Sequence, residues 1–145
     1  MKRGFTLIEL LMVVAIVTTM SVLSAVVYSR FLNQNASDNT VDQIVQTLRK
    51  AQMYAMTSRK NGNSGWGVNY TSPTITMYQG SSFGSPTHNL ALDETFGVNP
   101  SVEVTPFEVN FARASGLPDN TPTISVTTLN QTKTITINAE GVVSR

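Results

Sequence analysis

Met1-Lys2-Arg3-Gly4-Phe5-Thr6-Leu7-Ile8-Glu9 opens the chain and leads into an apolar run from Leu10 to Tyr28. No charged residue lies between Glu9 and Arg30. About 20 residues of helix rise roughly 30 Å, the thickness of a bilayer's hydrocarbon core. The run is therefore long enough to cross a membrane, and Lys2 and Arg3 favour a cytoplasmic N-terminus. Glu9 is the anomaly. On insertion scales a carboxylate costs about 2.5–3.5 kcal/mol at the membrane centre and less near an end. Such a residue calls for a partner.

A secretory signal peptide explains this stretch less well. Its apolar core is shorter, about 7–15 residues, and ends in a small-residue cleavage site. Ser24-Ala25 mimics such a site, but Glu9 falls where a signal peptide is apolar. A plain signal anchor explains neither Gly4 nor Glu9.

The segment Lys2-Arg3-Gly4-Phe5-Thr6-Leu7-Ile8-Glu9-Leu10-Leu11 resembles the N-terminus of type IV pilins and type II secretion pseudopilins. The shared features are a short basic leader, Gly before Phe, an acid five residues into the mature chain and an apolar helix. The resemblance implies cleavage between Gly4 and Phe5 by a membrane prepilin peptidase and N-methylation of Phe5. It also makes Glu9 the assembly residue. Cleavage leaves a cationic amine on Phe5. When subunits stack with an axial stagger, Glu9 of one meets the Phe5 amine of another, and each charge removes the other's desolvation penalty. Such a pair sets register more than it adds net stability.

The remaining composition is quiet. The chain has 145 residues, a formal net charge of +1 and no cysteine. That length holds one domain beside the anchor. Lys2 and Arg3 lie in the leader, so from Arg30 onward acids and bases balance, with no strong attraction to nucleic acid or anionic surfaces. An exported domain without disulfides depends on its core, and thiol chemistry is excluded.

Outward from the membrane stretch, the helical pattern continues from Ser29 to about Lys60. Val41, Ile44, Val45, Leu48, Ala51, Gln52 and Ala55 recur at helical spacing, with Asp42, Gln46, Arg49 and Lys50 on other faces. This stripe needs a sheet to cover. Asn33 to Asn39 is weak in helix propensity and offers a kink, or a capping break at Ser37 or Asp38. No proline precedes Pro73, and Val26 stands where many pilins carry a kinking proline. One continuous helix of about 55 residues is allowed.

Asn61-Gly62-Asn63-Ser64-Gly65 ends the helix in a turn, and strand signals follow. Residues 67–70 and 74–78 read as a hairpin around Thr71-Ser72-Pro73. Gln79 to His88 reads as a polar loop, and Leu90-Ala91-Leu92 as a short strand. Residues 102–104 and 107–111 alternate, with Pro106 marking an edge or bulge. Ala114 to Asn120 reads as a loop. Residues 123–127 and 134–138 alternate strictly, joined by a turn at Leu129-Asn130-Gln131-Thr132. Glu140-Gly141 begins a short tail.

Four further segments resemble minor pilins and pseudopilins of the GspH/FimT type: Phe111-Ala112-Arg113-Ala114-Ser115-Gly116, the Thr-rich hairpin, Ile135-Thr136-Ile137-Asn138-Ala139-Glu140-Gly141-Val142-Val143, and Leu48-Arg49-Lys50-Ala51-Gln52-Met53-Tyr54-Ala55. Gln52-Met53-Tyr54 departs from the Arg/Ser/Glu/Ala helix end of that subgroup. The resemblance implies a minor subunit.

No catalytic constellation is present. His88 is the only histidine and reads as a solvated loop residue, unable alone to build a zinc site. Asp93-Glu94 reads as a solvated turn. There is no Gly-x-Ser-x-Gly elbow, and Gly65-Trp66-Gly67 lacks the lysine and helix of a phosphate loop. Trp66 and Tyr70 read as core or sheet-face aromatics. Arg113, Lys133 and Arg145 are candidate DNA contacts, against which the neutral domain weighs.

The expectation is an α+β, pilin-like fold: leader 1–4, membrane and assembly helix 5–29, amphipathic helix 30–60 packed on one antiparallel sheet, and β domain 61–145. It is a filament subunit of a type IV pilus or type II secretion pseudopilus, with no enzyme activity, metal or cofactor. Its partners are other subunits, prepilin peptidase, the inner-membrane assembly platform and, before assembly, membrane lipid. It starts in the bacterial inner membrane with the β domain in the periplasm. The alternative is a membrane-anchored binding module for DNA uptake or for sugar or surface adhesion.

Overall fold

The structure is a computed structural model that describes residues 4–59, 63–129 and 131–145, and only the backbone of Leu23, Ala25 and Val26. Lys2 and Arg3 of the leader, Lys60, the Asn61-Gly62 part of the expected turn, and Asn130 lie outside the described residues.

A single helix, α1, runs from Leu7 to Met56 without a break. At 1.5 Å per residue its 50 residues reach about 75 Å. The expected weak point at 33–39 is fully helical, because tertiary packing overrides propensity there. Ser37 and Thr40 are buried against the domain, and the Thr40 hydroxyl donates to the Ala36 carbonyl at 2.9 Å. Asp38 pairs with Lys133 from the sheet.

Eight strands follow among the described residues. They are β1 (Trp66–Thr71), β2 (Thr74–Gln79), β3 (Glu94–Gly97), β4 (Glu103–Val104), β5 (Phe107–Phe111), β6 (Thr123–Thr128), β7 (Gln131–Ile137) and β8 (Val143–Ser144). All pairings are antiparallel, as expected, but they form two four-stranded sheets instead of one, in the orders β3-β2-β1-β5 and β4-β6-β7-β8. The chain changes sheet between β4 and β5, at Thr105-Pro106. Pro106 has no N–H to extend a ladder, so the alternating pattern on either side of it belongs to different sheets.

One core joins α1 to both sheets. Val41, Ile44, Val45, Leu48, Ala51 and Ala55 from the helix meet Trp66, Val68 and Tyr70 of β1, Ile124 and Val126 of β6 and Ile135 and Ile137 of β7. The helical stripe and the inward positions are those that the sequence periodicities pick out. Trp66 is fully buried, with its ring edge-on to Tyr54 at 5.1 Å.

The outer face of the first sheet carries a second cluster that the sequence reading missed. Tyr78 points away from the helix yet is fully buried, under the 80–93 segment. Its ring lies across Gly67, where a Cβ would stand 2.5 Å from the phenol. Its hydroxyl donates to Glu108 Oε1 at 2.8 Å, and the Phe83 N–H donates to the same oxygen at 2.7 Å. Burial, reinforced by the Glu108 carboxylate, holds the Tyr78 phenol above its ordinary range, so it keeps its proton and remains a donor.

His88 belongs to this cluster and is not the solvated loop residue expected. Its side chain is 7% exposed, packs against Tyr78 and Phe83, and sits 2.7 Å from the Phe83 carbonyl and 2.8 Å from Asp93 Oδ1. Asp93 and Glu94 are likewise no solvated turn. Asp93 holds His88, while Glu94 starts β3 and pairs with Lys50 of the helix. Leu90–Leu92 is a 3-10 turn capped by Asn89, not a strand. Its apolar residues mimic a strand, but three residues without a ladder partner close on themselves.

A chain starting at Ser29 keeps the whole core and is expected to be a soluble, folded monomer. A chain starting after Leu48 loses Ile44, Val45 and Leu48, each worth about 1.5–3 kcal/mol of burial, from a net stability of about 5–15 kcal/mol. It is expected to aggregate. Size-exclusion chromatography and circular dichroism of the two fragments check this, and a folded monomer from the shorter one would contradict the shared core.

Gly67→Ala is expected to displace the Tyr78 ring and cost about 1–3 kcal/mol, the usual range for overpacking. Thermal unfolding of the Ser29 fragment measures it.

Candidate functional site

The N-terminal site is built by the start of α1. Thr6 is the N-cap, with extended backbone, and its hydroxyl accepts the Glu9 N–H at 3.4 Å. The Leu10 N–H bonds the Thr6 carbonyl at 3.2 Å and closes the first turn. Thr6-Leu7-Ile8-Glu9 thus has the Thr-x-x-Glu pattern of a helix start. That signal was available in the sequence and fixes where the helix begins. It leaves Gly4 and Phe5 outside the helix.

Gly4 has open space around it. A Cβ there would meet nothing within 4 Å. The folded chain therefore sets no demand for glycine at this position, and any such demand comes from outside the chain. Phe5 is 80% exposed.

The Glu9 carboxylate is exposed and makes no hydrogen bond or ion pair among the described residues. Around it are Leu7, Ile8, Leu10, Leu11, Met12 and Val13, all exposed. Large apolar side chains stay exposed along α1 as far as Phe31 and Leu32, and this helix holds an 18-residue window of mean hydropathy 2.5. Its polar side chains satisfy themselves. The hydroxyls of Thr18, Thr19, Ser21 and Ser24 donate to carbonyls one turn back. A carboxylate cannot donate to a carbonyl in this way, and Glu9 is the one charged residue of the stretch before Arg30.

Residues 1–27 match the family model described as the prokaryotic N-terminal methylation motif. The chain carries a type IV pilin-like prepilin signal. The signal implies processing by prepilin peptidase and assembly with other pilin subunits. With the long apolar helix it fits membrane anchoring. Comparison with characterised proteins and with solved structures finds no match for the chain.

The two C-terminal motifs of this chain converge on one side chain. Gln52 Nε2 donates to the Gly116 carbonyl at 3.2 Å and to the Glu140 carbonyl at 3.1 Å. Gly141 closes against the same amide with φ +81°, where a Cβ would lie 2.3 Å from Gln52 Nε2. Ala114 caps the helix through a 3.0 Å bond to the Ala55 carbonyl. The Gln52-Met53-Tyr54 segment that departs from the GspH/FimT pattern thus locks the helix to both loops, with Tyr54 against Trp66.

The three candidate DNA contacts do not form one patch. Lys133 and Arg145 lie together, but Lys133 pairs with Asp38 and Arg145 with Asp42. Arg113 bonds Ser58 at the far end of the helix, about 30 Å along its axis.

In a host with prepilin peptidase, mass spectrometry is expected to find a mature chain that starts at N-methyl-Phe5. Gly4→Val is expected to leave the protein uncut, because a branched side chain crowds a bond whose backbone must approach the peptidase closely. A wild-type chain starting at Met1 or near Ala25 would contradict this.

Proposed function

We propose that this prepilin is a minor structural subunit of a type IV pilus or a type II secretion pseudopilus. It has no catalytic role of its own. It is held in the bacterial inner membrane by residues 5–29, with its N-terminus cytoplasmic and its β domain in the periplasm, until the assembly platform extracts it. The observation that carries this reading is Glu9, an unpartnered carboxylate on an apolar helix, one helical turn beyond Phe5.

Cleavage at Gly4–Phe5 creates the missing partner. The new Phe5 amine is cationic, and Phe5 precedes Glu9 by four residues in every copy. A copy shifted along the helix axis by that interval, about 6 Å, sets its amine beside a neighbour's carboxylate. In an apolar setting each charge without the other costs several kcal/mol. Unpaired arrangements are therefore disfavoured and the stagger is selected. The rigid helix transmits that stagger to the β domain, because Gln52, Tyr54 and the Asp38 and Asp42 pairs fix the domain to it.

The reading as a binding module for DNA or sugar has less support. Lys133 and Arg145 are neutralised by acids of the helix, and Trp66 and Tyr70 are buried in the core. Among the described residues no group of three or more His, Asp or Glu side chains is placed to hold a metal.

Glu9→Gln keeps size and hydrogen bonding but removes the charge. It is expected to leave membrane insertion and Gly4–Phe5 cleavage intact while sharply lowering the ratio of filament-associated to membrane-retained subunit. Glu9→Leu is expected to insert better and assemble no better. Equal ratios for wild type and both variants would remove Glu9 from assembly.

A further inference from the structure

The β domain has a second apolar point directed at the membrane end of the molecule. Leu129, at the tip of the β6–β7 hairpin, is 89% exposed, more than any other large apolar side chain among the described residues. A lone exposed leucine is ordinary on a surface. Its height along α1 makes this one different.

Three contacts fix that height. The Glu140 carbonyl meets Gln52, Lys133 meets Asp38, and Gln131 with Thr128 borders a cleft whose other wall is Arg30, Asn33 and Gln34. Strand β7 therefore follows the helix, and its start is its membrane end. In the hairpin register Lys133 faces Val126, so the tip at Leu129 lies three residues beyond it, about 10 Å, and about seven residues of helix cover the same distance. Counted from Asp38, this sets the tip near residue 31. The apolar run ends at Tyr28, and apolar surface continues through Phe31 and Leu32, which are 57% and 48% exposed. Arg30 to Leu32 lies within about 6 Å of that end, which is the depth of a headgroup layer.

We propose that Leu129 inserts into the membrane interface and gives the subunit a second contact with lipid. The partner is the outer-leaflet headgroup and upper acyl region of the membrane that α1 spans, and the proposal rests on residues 5–29 being that span. Tyr28 and Arg30 suit the same layer, an amphipathic ring and a cation able to reach phosphate. Glu103, which borders Leu129 with Pro100 and Ser101, is the one acid at the tip among the described residues. The hairpin stands to one side of α1, so the contact favours a tilt towards it, within the about 20° common for single spans. The domain is thereby held in one orientation on the membrane before extraction.

The chain has no cysteine, so single labels are unambiguous. Full-length Leu129→Cys, Val17→Cys and Leu90→Cys proteins are each labelled with an environment-sensitive fluorophore. They are placed at low protein-to-lipid ratio in phosphatidylethanolamine–phosphatidylglycerol vesicles. Nitroxide phospholipids quench either near the headgroup or deep in the chains. Val17 reports the span. Leu90 is 76% exposed and near the far end, since Asn89 bonds Gln79, whose strand partner Trp66 packs on Tyr54. The expected result is deep quenching at 17, headgroup quenching at 129 several-fold above that at 90, and none beyond background at 90.

Deep quenching at 17 with equal, weak quenching at 129 and 90 overturns the proposal and leaves the span intact. Protection at 129 only when copies are concentrated overturns it in favour of contact between subunits. No quenching at 17 overturns the span and the proposal with it.

Discussion

A charge that the chain itself does not compensate governs this molecule. Glu9 sits one helical turn inside an apolar surface, and its carboxylate has no partner among the described residues. Desolvation makes such a group expensive, and an ion pair recovers that cost only with good geometry. In the proposed reading, processing at Gly4–Phe5 gives Phe5, four residues before Glu9, a cationic amine, so the partner is supplied by the same event that releases the chain from its leader. In that reading the pair forms between copies, and the interaction would couple processing, membrane residence and register in one device.

The rest of the structure carries that register outward. α1 works in two environments. Its first half exposes apolar side chains around the helix and suits lipid or other helices. Its second half narrows to a stripe against two sheets. A continuous helix is needed for the two halves to stay in phase. Thr40 and Asp38 secure the part whose local sequence is weakest, through the buried Thr40 hydroxyl bonded one turn back and the pair with Lys133. At the other end, Gln52 and Tyr54 fasten the loops and Trp66. A domain fixed at both ends of its helix moves as a unit with it.

The parts legible in the sequence were those set by periodicity and by local chemistry. The Ile44-Val45-Leu48 stripe, the hairpin around Ser72-Pro73 and the alternating strands expected at 123–127 and 134–138 follow from side-chain spacing, whereas Gln131 and Thr132, expected in the turn, belong to the start of β7. The prepilin signal was equally clear, as the family match over residues 1–27 bears out. Division into two sheets was not legible, since alternation says which residues turn inward but not which strand lies beside which. His88 and Asp93 look solvated in sequence because their neighbours are polar. Their burial depends on Tyr78, whose ring can lie across the outer face only because Gly67 opposite it has no side chain. The role of Gln52 depends on two loops more than 60 residues away, which no local pattern reports.

The most direct test is to observe the pair between subunits. Filaments would be assembled from an equal mixture of two preparations, one with ¹⁵N only at the Phe5 amine and the other with ¹³C only at the Glu9 carboxyl. Magnetisation transfer between these two atoms in solid-state NMR then arises only across a subunit boundary. The account predicts transfer corresponding to an ion-pair contact within about 4 Å. Well-formed filaments in which the two labels show no transfer would contradict it.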